Sequence, residues 1–551
     1  MPQIPTLHSQ ASPVPHPPTS PRPRIQHTCS PANMADKKQL DHSENLDITQ
    51  IEQAHLPDQV SKRAKRADDE TARYAEGDPI HIDEATNKRL FWKINRRILG
   101  VMLVTYFCQS LDKGTLGFSS IMGIQKDAHL VGQQYSWLGT ILYMGILAGE
   151  YPQNFLLQKL PVAKFLSANV ICWGAVVACS AAAKNFGSLM AVRFLLGLFE
   201  SCVQPVFIIL TSMWYTREEQ SILTALWYCM TGVQLMVGGL LAYGISHYNG
   251  GVIYSWQLLF MVLGLLTVVW GVCIGIILPD SPMSAKCFSE EDKRLMVERI
   301  RHNETGIQNR EYKRYQIVEA LTDPFVWCCV LLITVANLVI GGLGVFSNLI
   351  IKAFGYTLLQ TQLLNIAQGA VTIIIMLSSA YLSQKWGQTC FTMLIWSIPP
   401  VIGTAVIIAI APSKTNAGGL LIAFYCTQFF LAQGNMIISL VSRNIAGQTK
   451  KSTAITMTFV GWAASNMAAP QIFRQHDAPR YIRGFVVHMV VYGVYAGLVV
   501  LTRAILMKRN RDKRRAAAET VGEQAADEKI THSMAFSDLT DLENPDFRYV
   551  Y

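Results

Sequence analysis

From residue 95 onward the chain alternates between apolar blocks about 20 residues long and short polar connections. A block of that length lets one helix cross a bilayer. The pattern predicts spans near 95–121, 136–156, 164–183, 187–213, 220–247 and 254–279. After a polar break at 280–323, six more follow near 324–351, 359–383, 389–411, 418–441, 453–473 and 484–507. The expected fold class is an all-α polytopic membrane protein of 12 transmembrane helices in two six-helix pseudo-repeats. The expected organisation is a disordered tail (1–89), a first bundle (90–279), a central loop (280–323), a second bundle (324–507) and a C-terminal tail (508–551).

Composition agrees with the pattern. Only 15% of the 551 residues are charged and 50% are hydrophobic, whereas soluble domains carry roughly 25% charged residues. The net charge of +9 needs no nucleic acid to explain it. Basic residues collect before span 1 (Lys88, Arg89, Lys93, Arg96, Arg97), at Lys159 and Lys164, at Arg217, at Lys385, at Arg443, Lys450 and Lys451, and after span 12. With an even number of spans these lie on one side, so both termini and the central loop are expected in the cytosol. Arg474, Arg480 and Arg483, in the eleventh connection, oppose that orientation. The cluster Lys508, Arg509, Arg511, Lys513, Arg514 and Arg515 is placed to meet anionic headgroups.

The flanks add little chemistry. Residues 1–33 hold nine prolines, no acid and no apolar core of a signal peptide, and read as disordered. Both tails are short and read as lacking a domain. In the loop, Ser289 is spaced to cap a helix with Asp292, which predicts an amphipathic surface helix. The sequon at Asn303 falls in this loop and goes unused if the loop is cytosolic. Cysteines are scattered without metal-type spacing, and no cofactor or metal is called for. An internal echo links the halves: Leu156, Gln158 and Lys159 close span 2 as Leu382, Gln384 and Lys385 close span 8. Two parallel repeats with a site between them is a transporter plan.

Several segments are specific in order: "LDKGTLG" in span 1, "GQQYSWLGTILYMGILAGEYPQN" across span 2, "RFLLGLFESCVQPVFIILTSMWYTREEQ" in span 4 and "LPDSP" after span 6. "GGLGVFSNLIIKAFGYT", "NIAGQTKKST", "APQIFRQHDAPRY" and "DLTDLENPDFRYV" follow. With these the chain resembles the major facilitator superfamily, within it the anion:cation symporter group, and there the fungal-type allantoate permease-like branch. The resemblance implies proton-driven import of small organic acids such as allantoate, nicotinate, pantothenate or biotin. It also implies that Arg193 binds a substrate carboxylate and that Glu200 takes part in proton coupling.

The charges themselves fit that chemistry. A charge at membrane depth costs at least ~2.5 kcal/mol and usually marks a site. Arg193 and Glu200 share a helix face but lie about 10 Å apart along the axis, too far for a tight pair. Arginine offers a planar fork to a carboxylate, and a carboxyl shielded from water can exchange a proton near neutral pH. Asp112 and Lys113 lie past the midplane of span 1, about 22 Å beyond Arg97, and point about 100° apart. Asp112 is a candidate partner for Arg193 or a proton carrier, and Lys113 a second cation for the cargo. Glu150, near the cytosolic end of span 2, is a candidate for proton transfer or for the inner gate. From Pro324 to Met507 the only acid is Asp477, so carboxylate-based coupling falls to the first half. The second half offers neutral groups that either hydrogen-bond substrate or hold helices together, packing being the commoner use of each singly, and among them Asn348 and Gln433 are the substrate candidates.

The reading is a monomeric plasma-membrane importer of a small organic anion with protons. Its rival is an exporter or uniporter of a neutral or cationic compound. No nucleophile–base pair, HExxH or phosphate-binding loop points to an enzyme.

Overall fold

The computed structural model describes residues 82–248, 253–285, 287–301, 313–521, 539–545 and 547–551. Residues 1–33 and the Asn303 sequon lie outside the described residues. Every regular element among the described residues is helical, and the helices group into twelve spans. Span 1 runs from Glu84 through a π turn to Met122, span 2 is Gln134–Lys159 and span 3 is Val162–Ala182. Span 4 is Phe186–Trp214, span 5 Arg217–Ile245 and span 6 Ser255–Ile277. Span 7 is Pro324–Ala353, span 8 Leu358–Trp386, span 9 Thr389–Ala409, span 10 Ala417–Asn444, span 11 Gln448–Ile472 and span 12 Ile482–Val521.

Local chemistry sets many of these ends. Asn185 and Ser188 close a reciprocal cap on span 4, as Thr357 and Gln360 do on span 8. Asp323 caps span 7, accepting from the Phe325 N–H at 2.8 Å, with Pro324 in the first turn. Three spans are interrupted. Span 4 breaks at Ser201–Cys202 because Pro205 has no N–H to give the Ser201 carbonyl. Span 9 breaks at Ser397 ahead of Pro399 and Pro400, and span 10 tightens into a 3₁₀ turn at Gln428–Leu431.

Nine helices among the described residues are long and apolar enough to cross a membrane. The helices of spans 1, 2 and 11 are not in that set, and they lie along the seam between the halves. Span 1 packs on span 7, span 2 on span 11 and span 5 on span 8. Equivalent contacts recur within each half: 3 with 6 and 9 with 12, 2 with 4 and 8 with 10, 1 with 5 and 7 with 11. The sequence echo marks equivalent places, because Lys159 sits 3.9 Å over the Phe155 ring and Lys385 sits 5.8 Å over Tyr381.

The hydrogen bonds that join the halves lie at the end away from the chain termini. Tyr135 Oη donates to the Val345 carbonyl at 3.1 Å, Thr140 Oγ1 to the Met467 carbonyl at 2.8 Å and Gln471 Nε2 to Thr140 Oγ1 at 3.0 Å. The Tyr135 ring meets Phe346 edge-on at 5.5 Å, and Phe346 stacks on Phe473 at 5.0 Å. The backbones come close here: a β-carbon at Gly239 would lie 2.6 Å from the Gln362 carbonyl oxygen.

The flanks differ from expectation. Residues 84–89, assigned to a disordered tail, open span 1. Asp83 caps that helix and Leu90 and Ile94 are buried in it. The loop helix Glu290–Arg301 is capped by Ser289 and docks on the first half, where Asp292 pairs with Lys93 at 2.5 Å and Arg89 at 3.2 Å. A second loop helix, Arg314–Thr322, docks on the second half through Gln316 and Glu319. The C-terminal tail also departs from the sequence reading. Its described residues pack against the second half, because Asp541 finds Lys450 and Tyr549 finds Asn510 there, both buried. Arg509, paired with Asp323, also faces Asp541 and Tyr549 of that segment, and Lys513 donates to it, leaving Lys508, Arg511, Arg514 and Arg515 exposed. Two of the three dissenting arginines are used locally, Arg480 donating to the Ile408 and Ile410 carbonyls at the end of span 9 and Arg483 facing Asp477 at 3.5 Å, while Arg474 is exposed.

Candidate functional site

The charges singled out in the first half lie on spans 1, 2 and 4, and spans 3 and 6 supply partners to them. Span 1 brings Asp112 and Lys113, and their 100° separation sends them to different neighbours. Asp112 is 1% exposed and its Oδ2 accepts from the Trp173 indole N–H of span 3 at 2.6 Å and from the Thr267 hydroxyl of span 6 at 3.2 Å. Lys113 turns the other way, toward span 4, and its Nζ lies 3.1 Å from Glu200 Oε1. The Glu200 side chain is fully buried, whereas 29% of the Lys113 side chain remains exposed. Lys113 is therefore the reachable member of the pair.

Glu200 ends the first segment of span 4, at the point where Pro205 interrupts the ladder. Close packing holds that point in place. Gly145 of span 2 meets the backbone of Phe194 and Gly197, and Gly149 meets Leu198 and Ser201. A side chain at any of these glycines would push the helices apart.

Arg193 is two turns earlier on the same face. It is 2% exposed, and neither terminal guanidinium nitrogen has a hydrogen-bond partner. Its Cζ lies 5.4 Å over the Phe260 ring of span 6, a cation–π contact. Asp112, the candidate partner, is held by Trp173 and Thr267, and Arg193 makes no ion pair among the described residues. A buried guanidinium without acceptors is costly, and an anion is the group that would satisfy it.

The remaining candidates separate. Glu150 sits on span 2 beside the Gly149 contact, half-buried, and accepts from Asn154 Nδ2 at 3.1 Å. Asn348 of span 7 lies at the seam, accepting from Asn365 Nδ2 at 2.9 Å and packing against Gly117, one turn beyond Lys113. Gln433 is not brought to the charges. Its Nε2 donates to the Met393 carbonyl at 3.0 Å and to Ser397 Oγ at 3.2 Å, and its Oε1 accepts from Tyr495 at 2.8 Å. Every polar atom of Gln433 thus ties spans 9, 10 and 12 together, filling the break at Ser397.

Sequence reasoning missed Trp173, Thr267 and Phe260. A signal existed for the first: a buried indole N–H needs an acceptor, and span 1 offers the carboxylate of Asp112 at membrane depth. Across the seam, Gln368 of span 8 donates to Gln428 at the break in span 10, at 3.3 Å. Interrupted helices thus stand in corresponding positions of the two halves, spans 4 and 10, which marks the site region of transporters with internal repeats.

Residues 102–470 match the family model described as Major Facilitator Superfamily. The chain is 35% identical over 497 residues to the thiamine pathway transporter of Saccharomyces cerevisiae, covering 88% of this chain and 91% of that protein. It is 30% identical over 509 residues to the allantoate permease of the same yeast, covering 90% and 91%. An uncharacterized transporter of Schizosaccharomyces pombe is 35% identical over 477 residues, covering 84% and 87%. The fold is similar to the crystal structure of a bacterial homolog to the human lysosomal transporter Spinster, in an inward-facing and unoccupied conformation. That likeness has a TM-score of 0.58 at 12% identity and covers 75% of this chain and 98% of that one.

Proposed function

The chain belongs to the major facilitator superfamily, and from that premise we propose that this multi-pass transporter imports a small organic carboxylate anion with one or more protons. The observation that carries the reading is Arg193, buried with its guanidinium unpartnered, two turns before Glu200 on the helix that carries the Lys113–Glu200 pair. A carboxylate entering the site docks on the fork of Arg193 and competes with Glu200 for Lys113. Glu200, parted from its cation in a buried position, takes a proton rather than remain an isolated charge. Anion and proton then leave together, and the Lys113–Glu200 pair reforms to neutralise the empty carrier. Asp112 is the second candidate for a proton and Glu150 the third, near the exit. Asn348 closes the far end of the site.

With both termini in the cytosol, the seam seen here seals the outside, and the site opens inward. The allantoate permease among the relatives supports an anionic cargo. The reading further takes the protein to be a monomer in the plasma membrane.

The test is uptake of labelled organic acids by permease-deficient cells across external pH, for wild type and Arg193→Ala. Uptake of one acid that rises with acidity and vanishes in the variant, at equal surface amount, supports the proposal. Undiminished uptake by Arg193→Ala removes Arg193 as the anion site, and transport of only neutral or cationic compounds removes the anion cargo.

A further inference from the structure

The described residues of the C-terminal segment, 539–545 and 547–551, lie against the near end of the second half in a way that resembles bound peptide. Two asparagines read their backbone. Asn444 Nδ2 donates to the Val550 carbonyl at 2.8 Å, and the Val550 N–H donates back to Asn444 Oδ1 at 2.7 Å. Asn510 does the same for Tyr549: Nδ2 to the Tyr549 carbonyl at 2.8 Å, and the Tyr549 N–H to Oδ1 at 2.9 Å. Each carboxamide supplies one donor and one acceptor, as a neighbouring β-strand residue would.

Two side chains add selectivity to that backbone contact. Asp541 is fully buried and accepts from Lys450 Nζ at 2.7 Å, while Lys450 also faces Asp323 and Glu319, both at 2.9 Å. Tyr549 is 4% exposed, its hydroxyl donates to Asp541 Oδ2 at 2.8 Å, and the Arg509 guanidinium lies 5.6 Å from its ring centroid. The groove thus matches a segment that turns over 541–543, which brings an acid back to a tyrosine eight residues later.

Its location gives it a consequence. Asn444 is the last residue of span 10, and span 10 is interrupted at Gln428–Leu431. Asn510 lies on the unbroken helix of span 12. A segment held by both ties the free end of Ala432–Asn444 to a continuous helix. In the first half the end of the broken helix of span 4 is covered as well, Phe288 of the central loop packing on Trp214 at 5.9 Å and Phe91 at the start of span 1 on Tyr215 at 6.3 Å.

We propose that the near end of the second half is a peptide-binding groove occupied by the chain's own residues 539–545 and 547–551, and that its occupancy restrains the part of span 10 beyond the break. The test is amide hydrogen exchange on the full chain in lipid nanodiscs. In wild type the Tyr549 and Val550 amides should exchange at least about tenfold more slowly than an open chain. Asn444→Ala with Asn510→Ala should remove that protection and raise exchange across 432–444, leaving span 7 unchanged. Should the double variant fail to fold, Asp541→Asn with Tyr549→Phe weakens docking from the segment alone. A synthetic peptide of residues 539–551, added to a chain lacking them, should bind saturably and restore protection where a scrambled peptide does not. Open-chain exchange at 549–550 in wild type overturns the groove, and unchanged exchange in 432–444 after release overturns the restraint.

Discussion

Lys113 of span 1 and Glu200 of span 4 stand 3.1 Å apart at the residue where span 4 breaks, one side chain partly reachable and the other sealed. Removing one partner of a buried pair strands the other and costs on the order of 3–5 kcal/mol. Because Lys113 keeps some solvent, Glu200→Gln should cost less, about 2 kcal/mol. Lys113→Met, which strands the sealed carboxylate, should cost more. The double variant should recover most of that stability, because both charges are gone. Uptake should nevertheless remain lost in all three. Thermal unfolding of the purified variants, set against their uptake, checks this. Simple additivity of the two single losses would mean that the contact carries no coupling.

Trp173 should matter through Asp112. Trp173→Phe keeps the ring and removes the N–H that reaches Asp112 Oδ2 at 2.6 Å. A hydrogen bond to a charged group contributes about 1.5–3 kcal/mol, so the variant should unfold at lower temperature. Thr267→Val, at 3.2 Å from the same oxygen, should lose less. Both should also slow uptake, because Asp112 fixes the turn that aims Lys113. Full uptake in Trp173→Phe would separate Asp112 from the site.

The spans were legible because bilayer thickness imposes a length on apolar runs, and each observed helix begins or ends within a few residues of the expected place. The interruption after Glu200 was less visible, although Pro205 names it: in a membrane helix a proline is tolerated often enough that the sequence alone does not decide between a kink and a break. Arg193, Glu200 and Lys113 were legible because a charge in an apolar block has few explanations. Gln433 follows the other course open to a neutral amide, holding helices together, and the sequence could not show it because its three partners lie far from it along the chain. The docked C-terminal segment was hidden for the same reason: Asn444 and Asn510 have no pattern that announces a pair of backbone readers. Lys450, counted with the surface cations that set orientation, lies buried among three carboxylates.

Gly239→Val tests the seam. A β-carbon there would sit 2.6 Å from the Gln362 carbonyl oxygen and 3.0 Å from Asn365 Cβ, and the first of these is backbone that has little room to yield. Overpacking of this kind typically costs about 1–3 kcal/mol. Here the strain exists only while spans 5 and 8 are closed together. The variant should therefore fold but favour the state open at the far end. In a cysteine-free background carrying Asn348→Cys, an impermeant thiol reagent applied from the far side should label the Gly239→Val protein faster. Equal labelling would show that spans 5 and 8 do not close that end.

The docked C-terminal segment should respond to pH at both extremes. Burial acts to raise the Asp323 carboxyl, but hydrogen bonds from Arg509 and the charge of Lys450 outweigh it and hold it below its ordinary value. A lowered folded value means that the pairing contributes fully above the unfolded pKa of about 3.9 and is lost as pH falls below it. Tyr549 behaves oppositely: burial first, then the charge of Asp541 and the bond to it, push its hydroxyl upward. Its contribution is complete below the unfolded pKa of about 10 and is lost as pH rises beyond it. Unfolding temperature should therefore hold a plateau between these limits. Asp323→Asn should lower the plateau by an amount equivalent to about 2 kcal/mol, since it takes from Arg509 its nearest carboxylate and from Lys450 one of three, and should flatten the acid limb. Tyr549→Phe should flatten the alkaline limb, with a smaller change at neutral pH of about 1 kcal/mol. An acid limb of the same steepness in Asp323→Asn would assign acid sensitivity to other carboxylates.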